Sequence, residues 1–260
     1  MGDKERKIAL EASGVRKIYR KNGREMTVLD IERLAVREGE FVTIIGPSGC
    51  GKSTLLHIMG GFIPAEAGTI MVYGNVVNGP GPDRGMMFQE FSLFPWKTVA
   101  GNVAWGLEAQ GFEKGQIEET VAKYLDIMNL AEFRNHYPAE ISGGMKQRAA
   151  LARVLAFDPK VLLMDEPFGA LDAQTRETMQ EEVTRIWERT RKTIVFVTHD
   201  IEEAVFLGDR VVVLSARPGR IRKEIRIDLP RPRSLEIKKS TKCHEYRNTV
   251  WDLIRSESRA

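Results

Sequence analysis

Gly46-Pro47-Ser48-Gly49-Cys50-Gly51-Lys52-Ser53, followed by Thr54, is a complete G-x-x-x-x-G-K-[ST] run. Glycines let a backbone follow phosphate groups closely, and N–H groups at a helix start supply fixed positive potential. Lys52 brings a point charge for the β- and γ-phosphates, and Ser53 brings a hydroxyl for Mg²⁺. The chemistry is the gripping of a nucleoside triphosphate. A second run, Val161-Leu162-Leu163-Met164-Asp165-Glu166, is four apolar residues ending in two carboxylates. Asp165 suits a Mg²⁺ held through water, because this ion dehydrates reluctantly. Glu166 suits the polarisation of water attacking a γ-phosphate, a general-base role typically worth roughly 10²- to 10⁴-fold. A third run, Ile141-Ser142-Gly143-Gly144-Met145-Lys146-Gln147-Arg148, puts two glycines at a helix start, which again makes an anion site.

These runs need elements to hold them. Phe41 to Ile45 is short, apolar and stops at Gly46, the profile of a buried parallel strand. A helix follows from near Gly51 to Gly60-Gly61. Ile8 to Tyr19 and Val28 to Val36 alternate partially around the turn Lys21-Asn22-Gly23, which predicts an antiparallel edge sheet. Further strands are expected over Thr69–Tyr73, Gly85–Phe88, Val161–Met164, Thr193–Val197 and Val211–Leu214. Helices alternate with the later ones, which argues for an α/β core. Between about Ser92 and Phe157 no strand is expected, only helices over about Val99–Gln110, Lys114–Met128 and Gly143–Phe157. That stretch is an inserted helical subdomain.

The chain has 260 residues, which suits one domain or one domain with a sizeable insertion, and its 42% hydrophobic and 29% charged residues are ordinary for a soluble globular protein. No apolar stretch approaches the roughly 18 to 20 residues that span a bilayer. The charged segment Met1 to Lys7 is not expected to be a secretory signal. Two cysteines, Cys50 and Cys243, give neither a disulfide framework nor a metal cluster, and a reducing cytosol is the simplest setting. Cys50 sits at a helix N-terminus, where a thiolate can be stabilised, but a site of oxidative inhibition there is the less favoured reading. From Ala216 onward, 13 Lys and Arg stand against 6 Asp and Glu. Anionic headgroups and nucleic acid both favour such a balance. Interleaved acids, Ile and Leu point instead to a solvated surface.

With these runs in place, the chain resembles the ATP-binding cassette (ABC) ATPases over nearly its full length. The resemblance implies an α/β P-loop NTPase fold with a RecA-like parallel-sheet core, an N-terminal antiparallel β subdomain and the inserted helices. The implied cassette spans 5–235, with its core at about 5–91 and 158–235 and its helical subdomain at about 92–157. A basic helical tail spans 236–260. The family's Ser-Gly-Gly segment contacts the γ-phosphate held by the opposite subunit, a role that passes to Ser142, Gly143 and Gly144, with Gln147 one turn on. Ile141 stands where the family usually has Leu, a volume-conserving change. Gln89 resembles the glutamine that reaches Mg²⁺ and the attacking water, and His199 resembles the histidine near the γ-phosphate. Gly169-Ala170-Leu171-Asp172 resembles the loop that crosses the dimer seam, with Asp172 at its end. Tyr19 stands where an aromatic ring stacks on adenine. The implied cofactors are ATP and Mg²⁺, and the implied activity is ATP hydrolysis.

Three runs narrow the resemblance to the nitrate/sulfonate/taurine importer subfamily. They are Phe91-Ser92-Leu93-Phe94-Pro95-Trp96, Leu214-Ser215-Ala216-Arg217-Pro218-Gly219-Arg220-Ile221 and Ile227-Asp228-Leu229-Pro230-Arg231-Pro232-Arg233. This implies a pair of cassettes, two copies or two similar chains, on the cytoplasmic face of the cell membrane. An integral-membrane permease and, indirectly, an extracytoplasmic solute-binding protein are the partners, and nucleic acid is not. Phe91, Phe94 and Trp96 offer an apolar patch for a permease helix. The competing readings are an export or lipid-trafficking cassette, a soluble non-transport ABC ATPase, and an adaptor that binds ATP without hydrolysing it.

Overall fold

The computed structural model describes residues 6–21, 23–169 and 171–257. Asn22 of the expected turn, Ala170 of the expected seam loop, and the outer limits of the expected cassette and tail (residue 5 and residues 258–260) lie outside the described residues.

The organising element is a six-stranded sheet. Its strands are β3 (Phe41–Ile45), β6 (Arg84–Met87), β7 (Val161–Asp165), β8 (Thr193–Val197), β9 (Arg210–Leu214) and β10 (Ile221–Arg226). They lie in the order β10-β9-β3-β8-β7-β6. All neighbours from β9 to β6 are parallel, and β10 closes the edge antiparallel to β9. Every residue of β3, β7 and β8 is buried, as expected of strands covered on both faces. The period of two assigns the faces. Leu162, Met164, Ile194 and Phe196 enter one core, while Val161, Leu163, Val195 and Val197 enter the other.

On the second face lie α1 (Lys52–Gly60) and an antiparallel sheet. That sheet pairs β1 (Ile8–Lys21) with β2 (Arg24–Arg37) and with β4 (Ala67–Val72), and adds the short β5 (Asn75–Val76). On the first face lie α2 (Val99–Ala109), α3 (Lys114–Ile127), α4 (Gly143–Ala156) and α5 (Ala173–Thr190). The helices inserted between β6 and β7 therefore share a core with the sheet rather than forming a separate one. At the far edge, α6 (Ile201–Leu207) and α7 (Thr241–Glu257) cover β9 and β10 with a third apolar cluster that includes Ala204, Val205, Cys243 and Val250.

Two regions differ from the expectation. Ile221-Arg222-Lys223-Glu224-Ile225-Arg226 forms a strand that its composition hides, because only the two isoleucines carry the alternation and four charged residues dilute it. The tail, expected as basic and helical, is helical but anchored. Cys243 and Val250 are fully buried on one face of α7, so the tail is part of the core's cover.

Candidate functional site

The sheet order brings the sequence's chemistry to one rim. The loops after β3, β8, β7 and β6 carry the phosphate loop, His199, Glu166 and Gln89 respectively, and these strands are adjacent in that order. Ligands in open α/β sheets bind at the carboxyl ends of strands, and this is that end.

The phosphate loop turns into α1 through Gly51, whose φ of 96° belongs to the left-handed region. A Cβ there would meet Leu29 Cδ2 at 2.7 Å, so only glycine fits. Lys52 is 6% exposed, and its ammonium donates to the carbonyls of Gly46 (3.0 Å) and Pro47 (3.2 Å). The cation is thus held within the loop's own curve. The run from Ser215 to Arg220 lies against the loop. Gly219 bridges to β2 through Val28 and Asp30, and any Cβ on it would collide with the Cys50 carbonyl. Cys50 itself is buried, and burial pushes its thiol up, outweighing the nearby Lys52. Desolvation thus acts harder on this group than the neighbouring cation does, and disfavours the thiolate.

Ser53 Oγ donates to Asp165 Oδ1 at 2.8 Å. Burial pushes the Asp165 carboxyl up, and the Ser53 hydroxyl opposes this. His57, one turn along α1, brings Nε2 to 3.5 Å from the other Asp165 oxygen, a contact that the sequence motifs did not point to. Among the described residues no cluster of three or more His, Cys, Asp or Glu is built to hold a metal alone. A hydroxyl beside one carboxylate fits Mg²⁺, which binds through one or two protein oxygens together with phosphate and water.

Glu166 has φ 42°, which is strained for a residue other than glycine, and its N–H donates to the Val197 carbonyl at 2.9 Å. That bond ties the end of β7 to the end of β8, where His199 follows. His199 Nδ1 and Glu166 Oε2 are 2.7 Å apart. Gln89 is exposed, and its Nε2 and the Glu166 Cβ flank Gly169, lying 3.8 and 4.0 Å from where a Cβ on that glycine would be. Tyr19 is exposed on β1. Two residues back on the same strand, Lys17 pairs with Leu29, whose side chain packs on Gly51. The Lys17 ammonium lies 5.3 Å from the Tyr19 ring centre.

The third run is set apart from this rim. Ser142 caps α4, accepting from the Met145 N–H at 3.3 Å, and both Ser142 and Gly143 are exposed. A Cβ on Gly144 would lie 2.8 Å from Thr175 Cγ2, so the glycine lets α4 approach α5 closely. Asp172 caps α5 by accepting from the Thr175 N–H at 3.0 Å, which holds its carboxyl below the usual range. Together these two helix starts line an open groove of about 340 Å³ that includes Arg148 and Glu182. Gln147 departs from its expected place beside a nucleotide. It is 0% exposed and donates to the Pro167 carbonyl at 2.6 Å, tying α4 to the segment after Glu166.

The aromatic run forms a surface. Trp96 is 71% exposed, and Phe94 lies between Trp96 and Trp105 with ring centres 5.6 and 5.0 Å away. Arg153 of α4 stacks over Phe94 and donates to the Ser92 carbonyl at 2.7 Å. Phe91 packs inward against the helical core. No helix among the described residues is long and apolar enough to cross a membrane.

Comparison with known proteins bears on this arrangement. The sequence model of the family described as ABC transporter matches residues 29–169. A nitrate import ATP-binding protein of Synechocystis sp. is 46% identical over 252 residues, which is 95% of each chain. A taurine import ATP-binding protein of Roseobacter denitrificans is 45% identical, covering 89% of this chain and 90% of that one. An aliphatic sulfonates import ATP-binding protein of Bacillus cereus is 45% identical over 94% of both. Among solved structures, a dimeric ATP-binding cassette bound to ADP and Pi in a post-hydrolysis state superposes with a TM-score of 0.75. It has 32% identity and covers 85% of this chain and 100% of that one.

Proposed function

The chain belongs to the ABC transporter family, and from that premise we propose that it is the ATP-hydrolysing subunit of an importer for a small anion, working as a pair of cassettes on a membrane permease. An ABC ATPase cassette is the coarser statement, and it stands on the family match and the relatives. The anion, of the nitrate, sulfonate or taurine kind, is supported by what the three relatives are named for.

One observation carries the paired mechanism. The groove at Ser142, Gly143 and Gly144 shares no lining residue with the phosphate loop, so each half of the proposed phosphate site is open within one chain. A second copy facing it supplies the missing half. In this reading Tyr19 stacks on adenine, and the loop from Gly46 to Thr54 wraps the phosphates with Lys52 charging them. Ser142 and Gly143 reach the γ-phosphate of the partner's nucleotide, and Asp172 lies at the seam. Ser53, Asp165 and Gln89 would hold Mg²⁺, which would supply charge neutralisation on the phosphates. Glu166 accepts the proton of the attacking water, and His199 holds Glu166 in position and contacts the γ-phosphate. Only the closed pair offers both halves, so ATP favours closing and hydrolysis favours opening. The permease converts this into alternating access, docking at Phe94 and Trp96.

The test is the molar mass of Glu166→Gln by light scattering with and without ATP and Mg²⁺. The expected result is a doubling only with nucleotide. A mass that stays at one chain while ATP is demonstrably bound would overturn the paired site.

A further inference from the structure

The run Asp228-Leu229-Pro230-Arg231-Pro232-Arg233 has no place in the phosphate site, yet it holds the helix that follows His199. The last carbonyls of an α-helix lack partners inside the helix and favour a cation beside them. On α6 they are capped from the C-terminal segment. Arg233 Nη1 donates to the carbonyls of Phe206 (2.7 Å), Gly208 (2.9 Å) and Val205 (3.3 Å). Arg231 Nη2 donates to Leu207 (2.6 Å) and also pairs with Asp209 (2.9 Å). Arg233 is buried with no carboxylate bonded to it among the described residues, and burial lowers its pKa to about 10.

The other end of α6 is held by the same segment. Lys238 is 8% exposed, lies 3.2 Å from Glu202 and donates to Gln180 Oε1 at 2.9 Å. Gln180 Nε2 donates to Glu203 Oε1 at 3.1 Å, and the other Glu203 oxygen accepts from the Thr198 hydroxyl. The Asp200 N–H donates to Thr198 Oγ1 at 3.0 Å. Arg247 of α7 pairs with Glu202 at 2.9 Å. The donors converge on Glu203, from Lys238 through Gln180 on one side and from the Thr198 hydroxyl on the other, so its carboxylate is the shared acceptor that joins the two. His199 lies between Thr198 and Asp200, both of which are tied into this chain.

We propose that residues 228–247 form a clamp on both ends of α6 that positions His199 against Glu166, with Lys238 as its decisive positioning residue. This rests on the role given to His199 above. Removing the Lys238 charge leaves the Gln180 carbonyl without its donor and takes a cation from beside Glu202, which loosens the hold of Gln180 on Glu203, and with it Thr198 and the histidine beside it. No atom of Lys238 contacts the phosphate loop, so ATP affinity is left alone.

The experiment measures kcat and KM for ATP on the full chain with Lys238→Met, in the wild-type and in the His199→Ala backgrounds. The expected result is a fall in kcat of about tenfold with KM unchanged where His199 is present, and a change below twofold where it is absent. Equal falls in both backgrounds would mean a merely structural role and would overturn the clamp. A second readout uses ¹⁵N-labelled histidine, of which the chain has four. The ring nitrogen of His199 bonded to Glu166 shifts in Lys238→Met if the clamp positions it, and an unaltered resonance would overturn the clamp even where His199→Ala leaves no measurable turnover. Unchanged turnover in His199→Ala alone would instead overturn the catalytic role of the histidine, so the two failures are distinguishable.

Discussion

The phosphate loop and the Ser142-Gly143-Gly144 segment both put glycines at a helix N-terminus, and they are held by different means. The first lies between a fully buried strand and α1. Lys52 is drawn into its curve, Ser53 is bonded to Asp165, and Gly219 presses on its far side. The second stands at the surface, with Ser142 spent on capping its own helix and Gly143 in open space. One half is organised to hold a ligand within a single chain. The other is an exposed face, fixed to α5 through Gly144 and Thr175. Similar local sequence thus gives an enclosed loop in one place and an exposed face in the other, proposed above as the nucleotide loop and the pairing surface, and the packing behind each decides which.

The sharpest way to break this contrast is to damage each half separately. Lys52→Ala removes a charge-assisted contact to phosphate, worth about 1.5 to 3 kcal/mol, which weakens ATP binding by a single chain by roughly 10- to 150-fold. Gly143→Asp adds a like charge where the partner's γ-phosphate is proposed to arrive. Nothing lies within 4 Å of the added Cβ, so the fold accepts it. The expected outcome is unchanged single-chain ATP binding by calorimetry and no nucleotide-dependent doubling of mass. Loss of single-chain binding in Gly143→Asp would erase the distinction between the halves.

A second test asks to which half the permease attaches. The aromatic surface is tied by Arg153 to α4, the helix that begins with Ser142, and not to the phosphate loop. Trp96→Ala removes a side chain that is mostly in solvent, and exposed substitutions usually change stability by no more than about 0.5 kcal/mol. ATP binding and nucleotide-dependent pairing are therefore expected to persist while co-purification with the permease is lost. Retained assembly would sink the docking surface.

The contrast also explains what the sequence allowed to be read. The loop from Gly46 to Ser53, the carboxylates after Val161–Met164 and the histidine after Val197 are legible because each follows a run of buried β-branched or aliphatic residues. Such runs mark strand ends without tertiary information. The pairing of His199 with Glu166 was not legible. It depends on β8 inserting between β3 and β7, an order set by crossovers that no local pattern encodes. Gln147 was misplaced for a related reason. Its spacing from Ser142 puts it one turn along α4, but that turn faces Pro167 and not the surface. The strand Ile221–Arg226 and the anchored α7 were hidden by charge, since four charged residues interrupt the strand and α7 places Cys243 and Val250 among polar and charged neighbours.

The smallest expected effect concerns Cys50, where the two halves would agree if helix ends alone governed chemistry. A thiol at a helix N-terminus beside a lysine has two influences favouring the thiolate. Against them, Cys50 is buried in the core beneath the loop, and desolvation raises its pKa more than Lys52 lowers it. The thiolate is the species that reacts with peroxide and alkylating agents, so its population at neutral pH falls below that of a free cysteine. Cys243 is buried under α7 and is also raised. Mild peroxide is therefore expected to change ATPase activity by less than twofold, and native protein to take up iodoacetamide only after unfolding. Rapid single-site alkylation at Cys50 in the folded chain would show that the loop opens far enough to bring its underside into water. The phosphate half would then be less closed than its packing implies, and nearer in character to the exposed glycines of the other half.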